Sequence, residues 1–338
     1  MTAVPLGLQK TLIAAAARAP SAHNTQPALW RFLDNGCIEL LEDRTRLLPC
    51  ADPLESDHRL ALGIAYEGLS LAASTHGRIL EEPSVVCDPE ALALAGGRYR
   101  PVARTRVAGT RAADPLAEWV YTRATWRGRF VQPSRQRLRE LTSTLDHRCD
   151  LRLITRSGDL RAFGELHDRC AGELLARLGH AEELWRWLRL SPDHPEWGRD
   201  GLNADALNLS ARDRKIAALL LRPNVLRYLQ RMRLDALLIS EAPITRSASL
   251  LLVVMAEPSE PRFDTGRRLY RLWLELTALG WSACPMSALV DHPRGRDKLK
   301  ESLGLDDDWE LVAVMRVGLA PGPVRRSPRL PLNELVLE

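Results

Sequence analysis

No stretch of the chain approaches the roughly 18 consecutive apolar residues of a membrane span, so the sequence offers no transmembrane helix. None of the six cysteines (Cys37, Cys50, Cys87, Cys149, Cys170 and Cys284) belongs to a C-x-x-C pair. That spacing removes a zinc site or a disulfide framework and reads as free thiols in a reducing cytoplasm. G-x-G-x-x-G after a strand, G-x-x-x-x-G-K-[ST] and G-x-S-x-G are all missing, which excludes the Rossmann fingerprint, the P-loop and the nucleophile elbow. Gly68-Leu-Ser70-Leu-Ala72 is only a piece of helix. His167 and Cys170 stand one helical turn apart but lack a carboxylate partner, a pattern more typical of packing than of metal binding. The net charge of +4 is small for 338 residues and does not call for nucleic acid.

What is present is enough apolar sequence, 45%, for a full core or two, and a length that suggests about two domains. Lys10 and the alanine-weighted run Thr11 to Ala17 read as the helix Leu8 to Arg18 of the mature chain rather than as a signal peptide. Leu29 to Glu42 reads as a hairpin turning at Asp34-Asn35-Gly36. His58 to His76 carries Leu60, Ile64, Leu69 and Ala72 at helical spacing and stops at Gly77. Strands are expected at Ser84 to Cys87 and Val102 to Val107. Helices are expected at Pro115 to Arg123 and Arg135 to Leu145, then a strand at Asp150 to Thr155. A tryptophan-rich helical stretch follows from Leu160 to Leu190, then the irregular Ser191 to Gly201, then helix to about Leu238. The last elements are a strand at Ala248 to Met255, a helix from Arg267 to Leu279 stopped by Gly280, and strands at Ala283 to Val290 and Leu311 to Val317.

Leu69, Leu71 and Gly77 fall opposite Leu272, Leu274 and Gly280, and Arg106-Val107-Ala108-Gly109 echoes Arg316-Val317-Gly318. Helix, strand, strand in each part suggests two copies of one fold joined in one chain.

The stretch Ala19-Pro-Ser-Ala-His-Asn-Thr-Gln-Pro27 interrupts the first helix and precedes Leu29-Trp30-Arg31-Phe32. Pro20 drives Ala19 out of helical geometry, and Ser21, Asn24, Thr25 and Gln26 then crowd polar side chains onto a loop flanked by apolar sequence. A capped helix end satisfying its own backbone would also fit these residues. Their order, Ala-Pro-Ser-x-x-Asn-x-Gln-Pro with an aromatic residue just after, resembles the flavin-facing loop of the nitroreductase family of FMN enzymes. Its position near the start of so long a chain is most similar to the Acg-type branch.

That resemblance implies where further parts of an FMN site lie. Pro20, Ser21, Asn24 and Gln26 would face the flavin, with His23 a candidate substrate contact. Arg123-Ala-Thr125-Trp-Arg127-Gly-Arg129-Phe130 is similar to the family's phosphate motif, and in an extended segment Arg123, Thr125, Arg127 and Arg129 would share a face suited to a dianion. An arginine-rich solvated segment is the competing reading. Cys284-Pro285-Met286-Ser287-Ala288 resembles the strand edge whose amides meet the flavin. Ser287 would supply the N5 contact and Pro285 and Met286 the ring face; the same residues also read as a buried strand. The tail Arg325-Arg326-Ser327-Pro328-Arg329 resembles a basic segment returning to the phosphate through Arg326 and Arg329, although a basic tail for a polyanion would look alike.

Taken together, the resemblance implies an α+β nitroreductase fold of two fused lobes forming a pseudo-dimer of antiparallel or mixed sheets flanked by helices. Residues 1–110 would carry the loop, and residues 111–338 the phosphate and ring sites. An insertion at about 160–238, with Trp185, Trp187, Trp197 and Asp200-Gly201-Leu202, would form a helical lid. Thr142 to Cys149, where a second loop would sit, lacks the motif, so one FMN per chain is expected. A single chain would suffice, with a homodimer for other reasons left open. The implied activity is two-electron transfer from NAD(P)H to a small electron-poor acceptor such as a nitroaromatic or quinone, with no nucleic acid or membrane partner. No side-chain acid or base is required, because the flavin carries the chemistry. Two departures stand out: Ala28 and Leu29 lengthen the loop exit, and the family's helical Asn and Lys contacts are not identifiable. The lid equally suits an FMN-storing protein with little turnover, and a basic-tailed interaction protein with a degenerate site is a third reading.

Overall fold

A computed structural model describes residues 3–86, 94–232 and 240–337. Strands β1 (Ala28–Phe32) and β2 (Cys37–Asp43) form the expected hairpin, with the Asn35 side chain accepting from the Cys37 amide at 3.0 Å in its turn. Helix α1 (Leu6–Ala16) precedes them. Helix α2 (Ser56–Thr75) follows, its first turn satisfied by the Asp52 carboxylate, which accepts from the Ser56 and His58 amides at 2.7 and 2.8 Å. Its end is set by Gly77 at φ 65°. Strands β3 (Arg78–Leu80), β4 (Ser84–Val85) and β5 (Tyr99–Thr110) complete a sheet ordered β1-β2-β5-β3, with β4 also on β5.

The second sheet is built the same way. Helix α3 (Arg135–Leu145) leads into β6 (Leu151–Ile154), and after α4 (Ser157–Leu175), α5 (His180–Trp187), β7 (Leu188–Arg189), β8 (Leu202–Asn203), α6 (Ala211–Leu220), α7 (Pro223–Arg231) and α8 (Ala242–Thr245) the chain returns in β9 (Leu250–Ala256). Then come α9 (Arg262–Ala278), β10 (Ser282–Pro285), α10 (Ala288–Asp291), α11 (Pro293–Leu303) and β11 (Glu310–Gly318). The order is β6-β9-β11-β10, antiparallel throughout. In both sheets the strand that comes last in the chain is inserted beside the strand preceding the long helix.

The long helices α2 and α9 cross through paired glycines. A Cβ on Gly63 would lie 1.9 Å from the Phe263 carbonyl oxygen, and one on Gly266 would lie 2.2 Å from that of Leu60. The contacts are reciprocal, and the spacing that relates Gly77 to Gly280 also relates Gly63 to Gly266 and Leu60 to Phe263. Leu12, Trp30 and Leu69 from one half and Leu252, Leu272 and Trp273 from the other share one continuous apolar core. Each fully buried side chain of this size contributes roughly 1.5–3 kcal/mol.

Several sequence expectations need correction. Ala283 to Val290 is a strand only through Pro285; the backbone then turns helical at Ser287, whose carbonyl accepts from Val290 and Asp291. The Met286 amide still bonds to the Val314 carbonyl at 2.7 Å, and the strand ends where Ser287 takes up helical backbone geometry. Pro115 to Arg123 is a short 3₁₀ turn over Pro115–Trp119, started by Asp114 accepting from Leu116, and Arg123 lies beyond it. Leu160 to Leu190 is two helices broken at Gly179, φ 84°, followed by β7. Helix α4 packs Leu160, Phe163 and Leu166 onto the second sheet's core, so the segment that reaches across to the first half begins later, near α5. Cys87 and the residues near Leu238 lie outside the described residues. Among the described residues no helix is long and apolar enough to cross a membrane.

Candidate functional site

Between α1 and β1 the chain takes eleven residues where α3 and β6 are joined by five, and the extra length is the loop 17–27. His23, Asn24 and Gln26 have φ of 48°, 57° and 53°, a left-handed conformation that costs non-glycine residues of order 1–3 kcal/mol each. The loop is held in it by side chains. The Gln26 amide donates to Ser21 Oγ at 2.9 Å, Gln26 Nε2 donates to the Arg199 carbonyl at 2.9 Å, and Gln26 Oε1 accepts from the Leu330 amide at 2.9 Å. Asn24 Nδ2 donates to the Gly201 and Pro328 carbonyls at 3.2 and 3.1 Å, while its Oδ1 accepts from Arg329 at 2.8 Å. The two amide side chains therefore tie the loop to the 199–201 segment and to the C-terminal tail.

Behind the loop is a small cavity lined by Arg18, Pro20, Ser21, Asn24, Arg123, Thr125, Arg127, Arg326, Ser327 and Arg329, residues from three distant parts of the chain. Arg123 is buried, its guanidinium 4.7 Å from the Trp273 ring centroid, with one nitrogen on the Arg18 carbonyl at 3.3 Å. Among the described residues its Nε and Nη1 make no hydrogen bond of good geometry, although the Tyr270 hydroxyl faces the guanidinium, and Nε of Arg329 makes none. Arg329 otherwise donates only to uncharged oxygens: Asn24 Oδ1 and the carbonyls of Arg18, Ala19, Ser327 and Pro328. Burial, followed by the like charges of Arg123 and Arg18, lowers the Arg329 pKa to about 9. Burial likewise lowers that of Arg123, against the opposing effect of Tyr270. The half-buried His23 ring is held neutral, its pKa lowered to about 4 by burial and then by Arg127.

Among the described residues no carboxylate lines this cavity. Buried guanidinium groups with unpartnered nitrogens and no counter-charge are costly by themselves and suit a dianion, so the residues fit a phosphomonoester. Arg127 also donates to the Ala206 carbonyl at 3.2 Å, bringing the segment after β8 to the cavity. The arginine segment is not the extended strand expected: only Thr125 forms a bridge, beside Ala283 of β10, and Arg129 is exposed and absent from the cavity lining.

That bridge places the cavity alongside the edge of β10. Beyond it Pro285 and Ser287 are exposed, whereas Met286 is fully buried in the second sheet's core with Phe163 and Leu251. The expectation that the Met286 side chain covers a ring face is thus overturned, since alternation along the edge turns it inward. Ala288 is also buried. Sequence reading missed Arg18, Ser327 and the Tyr270–Trp273 layer under Arg123; the helical spacing of the latter two on α9 was the available signal.

Residues 201–319 match the family model described as the nitroreductase family. The probable NAD(P)H nitroreductase PigM of Serratia sp. (strain ATCC 39006) is 25% identical over 306 residues, 85% of this chain and 82% of that protein. Among solved structures, the FMN- and NADPH-dependent nitroreductase NfnB from sphigopyxis sp. strain HMH aligns at 17% identity and TM-score 0.38, covering 67% of this chain and 99% of its own. Oxidised iodotyrosine deiodinase bound to FMN and 3-iodo-L-tyrosine aligns at 15% identity and TM-score 0.35, covering 64% and 95%. The matched span holds β8 through β11, so it is this part of the chain that is similar to the nitroreductase family.

Proposed function

We propose that the protein is an FMN-dependent oxidoreductase, made of two fused nitroreductase-like lobes over residues 1–110 and 111–338, of the Acg type. Its electrons come from NAD(P)H and pass to an electron-poor organic acceptor of nitroaromatic or quinone type. The observation that carries this reading is the carboxylate-free cavity with unpartnered guanidinium nitrogens on Arg123 and Arg329. Arg123, Arg127, Arg326 and Arg329, with Thr125, hold the phosphate. The exposed edge at Pro285 and Ser287 faces the ring, and Pro20 and Ser21 approach from the other half. When bound, FMN supplies the two-electron relay between nicotinamide and acceptor. The chain's own work is to bind, orient and shield, and no side-chain acid or base is assigned. PigM, as a probable NAD(P)H nitroreductase, supports the choice of donor.

A second reading, FMN storage with little turnover, is favoured by one observation. Residues 199–206 bond directly to the loop through Asn24 and Gln26 and to Arg127, tying the inserted segment to residues of the cavity wall. The two readings separate in one experiment: add FMN, remove the excess, record the absorption spectrum, then titrate anaerobically with NADH and NADPH. Retained flavin that bleaches supports the oxidoreductase, and retained flavin that stays yellow supports storage. Failure to retain flavin overturns both.

A further inference from the structure

Arg316 of β11 is 2% exposed, yet two of its guanidinium nitrogens, Nε and Nη1, have no partner. The third, Nη2, pairs with Glu241 just before α8 and lies 3.7 Å from Cys284 Sγ. Cys284 is its cross-strand neighbour in β10, one residue before Pro285 and the exposed edge. Among the described residues, the other titratable groups facing this cluster are His167 and Asp168 of α4. The counter-charge is incomplete in placement, because the Glu241 side chain is 42% exposed while that of Arg316 is 2% exposed. Water therefore screens the carboxylate more than the guanidinium, so Glu241 only partly offsets the buried positive charge.

The matching place in the first sheet sharpens the point. Leu80 faces Val107 as Ala283 faces Val317, so Arg106 is the counterpart of Arg316. Arg106 is only partly buried. The deeply buried version occurs in the sheet whose edge adjoins the arginine cavity.

Resting on the proposed flavin site, we infer that Arg316 is a positioning residue for redox chemistry, a buried cation behind β10 that favours the reduced, more negative cofactor at the 285–287 edge. It touches neither substrate nor cofactor. Its effect is electrostatic, through the low-dielectric sheet interior, and Glu241 opposes it. The prediction is a pair of opposite shifts in the midpoint potential of bound FMN. Arg316→Met lowers the preference for reduced over oxidised flavin about tenfold, which for a two-electron couple is about 30 mV. Glu241→Gln, leaving the guanidinium less neutralised, shifts the potential upward. Arg316→Lys restores most of the wild-type value.

The test is spectroelectrochemical titration of the FMN-loaded full-length proteins, with flavin affinity measured alongside. A packing role would give shifts of one sign or none, and unchanged potentials in both Arg316→Met and Glu241→Gln overturn the inference. Should Arg316→Met fail to fold, Glu241→Gln decides: an upward shift, with Arg316→Lys near wild type, supports the inference, and an unmoved or lowered potential in Glu241→Gln overturns it. If wild-type protein retains no FMN, the proposed function fails, a different result from retained FMN with unmoved potentials.

Discussion

Among the described residues two cavities collect arginines, and they differ in what faces them. In the cavity behind the loop, Arg18, Arg123, Arg127, Arg326 and Arg329 converge without a carboxylate. In the groove lined by Tyr66, Glu67, Glu82, Arg148, Arg267 and Arg271, the arginines are answered by acids. Arg267 lies 3.3 Å from Glu67 and 2.9 Å from Glu82, Arg271 is 2.9 Å from both Glu67 and Asp114, and Arg148 is 3.1 Å from Asp150. Burial works against the charge of Arg267, but Glu82 and Glu67 outweigh it and raise its pKa, whereas that of Arg329 falls. Arginine count alone therefore does not mark an anion site; uncompensated, buried arginine does. The groove is the larger opening, yet its charges are already used in holding the two halves together.

The largest effect expected from breaking this contrast is on ligand affinity. Arg123→Ala combined with Arg329→Ala removes two charge-assisted contacts, worth about 1.5–3 kcal/mol each, and should weaken FMN retention at least about 100-fold. Equilibrium dialysis against FMN measures it, and an affinity within threefold of wild type would show that the cavity is not the phosphate site.

Next in size is the seam shared by both regions. Gly63→Ala and Gly266→Ala each place a methyl inside a facing carbonyl's contact distance, at 1.9 and 2.2 Å. Each should cost about 3 kcal/mol of stability, read by urea unfolding, and by similar amounts because the contacts are reciprocal. If only one is costly, the helix crossing is not symmetric. In the groove, Arg271→Ala should cost about 1–2 kcal/mol by weakening the partners of buried Glu67 and Asp114, while FMN affinity stays within threefold. A large loss of FMN there would erase the distinction between the two arginine clusters.

The comparison also shows what a sequence discloses. The loop and arginine motif were legible because their residue types carry chemistry: proline breaking a helix, short amides on a buried loop, guanidinium groups repeating near a hydroxyl. The spacing from Leu69 to Leu272 was visible, but its extension to Gly63 and Gly266 was not used, although close helix approach gives glycine a reason to be there. Charge compensation was illegible. Glu67 and Arg271 meet only because α2 and α9 cross, and nothing local in either segment distinguishes them from Arg123 or Arg329. The misread strand at Met286 has a related cause: apolar alternation continued past Pro285, while the turn depended on main-chain bonds at Ser287.

The smallest effect expected is a pH signature at His23, in the loop that fronts the cavity and under the field of its Arg127. Burial and Arg127 lower the His23 pKa from 6.5 to about 4. Between those values the unfolded chain binds more protons than the folded one, so this group makes stability rise with pH across the window. As pH falls from 6.5 the penalty grows, and below about 4 it is fully present. Solvent at the half-buried ring reduces the effect to on the order of 1 kcal/mol. His23→Asn keeps a residue tolerant of positive φ but removes the titration, so its urea-unfolding free energy should fall less than that of wild type between pH 6.5 and 4. A bound phosphate dianion beside Arg127 would offset the positive field that helps keep the ring neutral. The wild-type slope should therefore be shallower with FMN than without it, and equal slopes would separate His23 from the anion site.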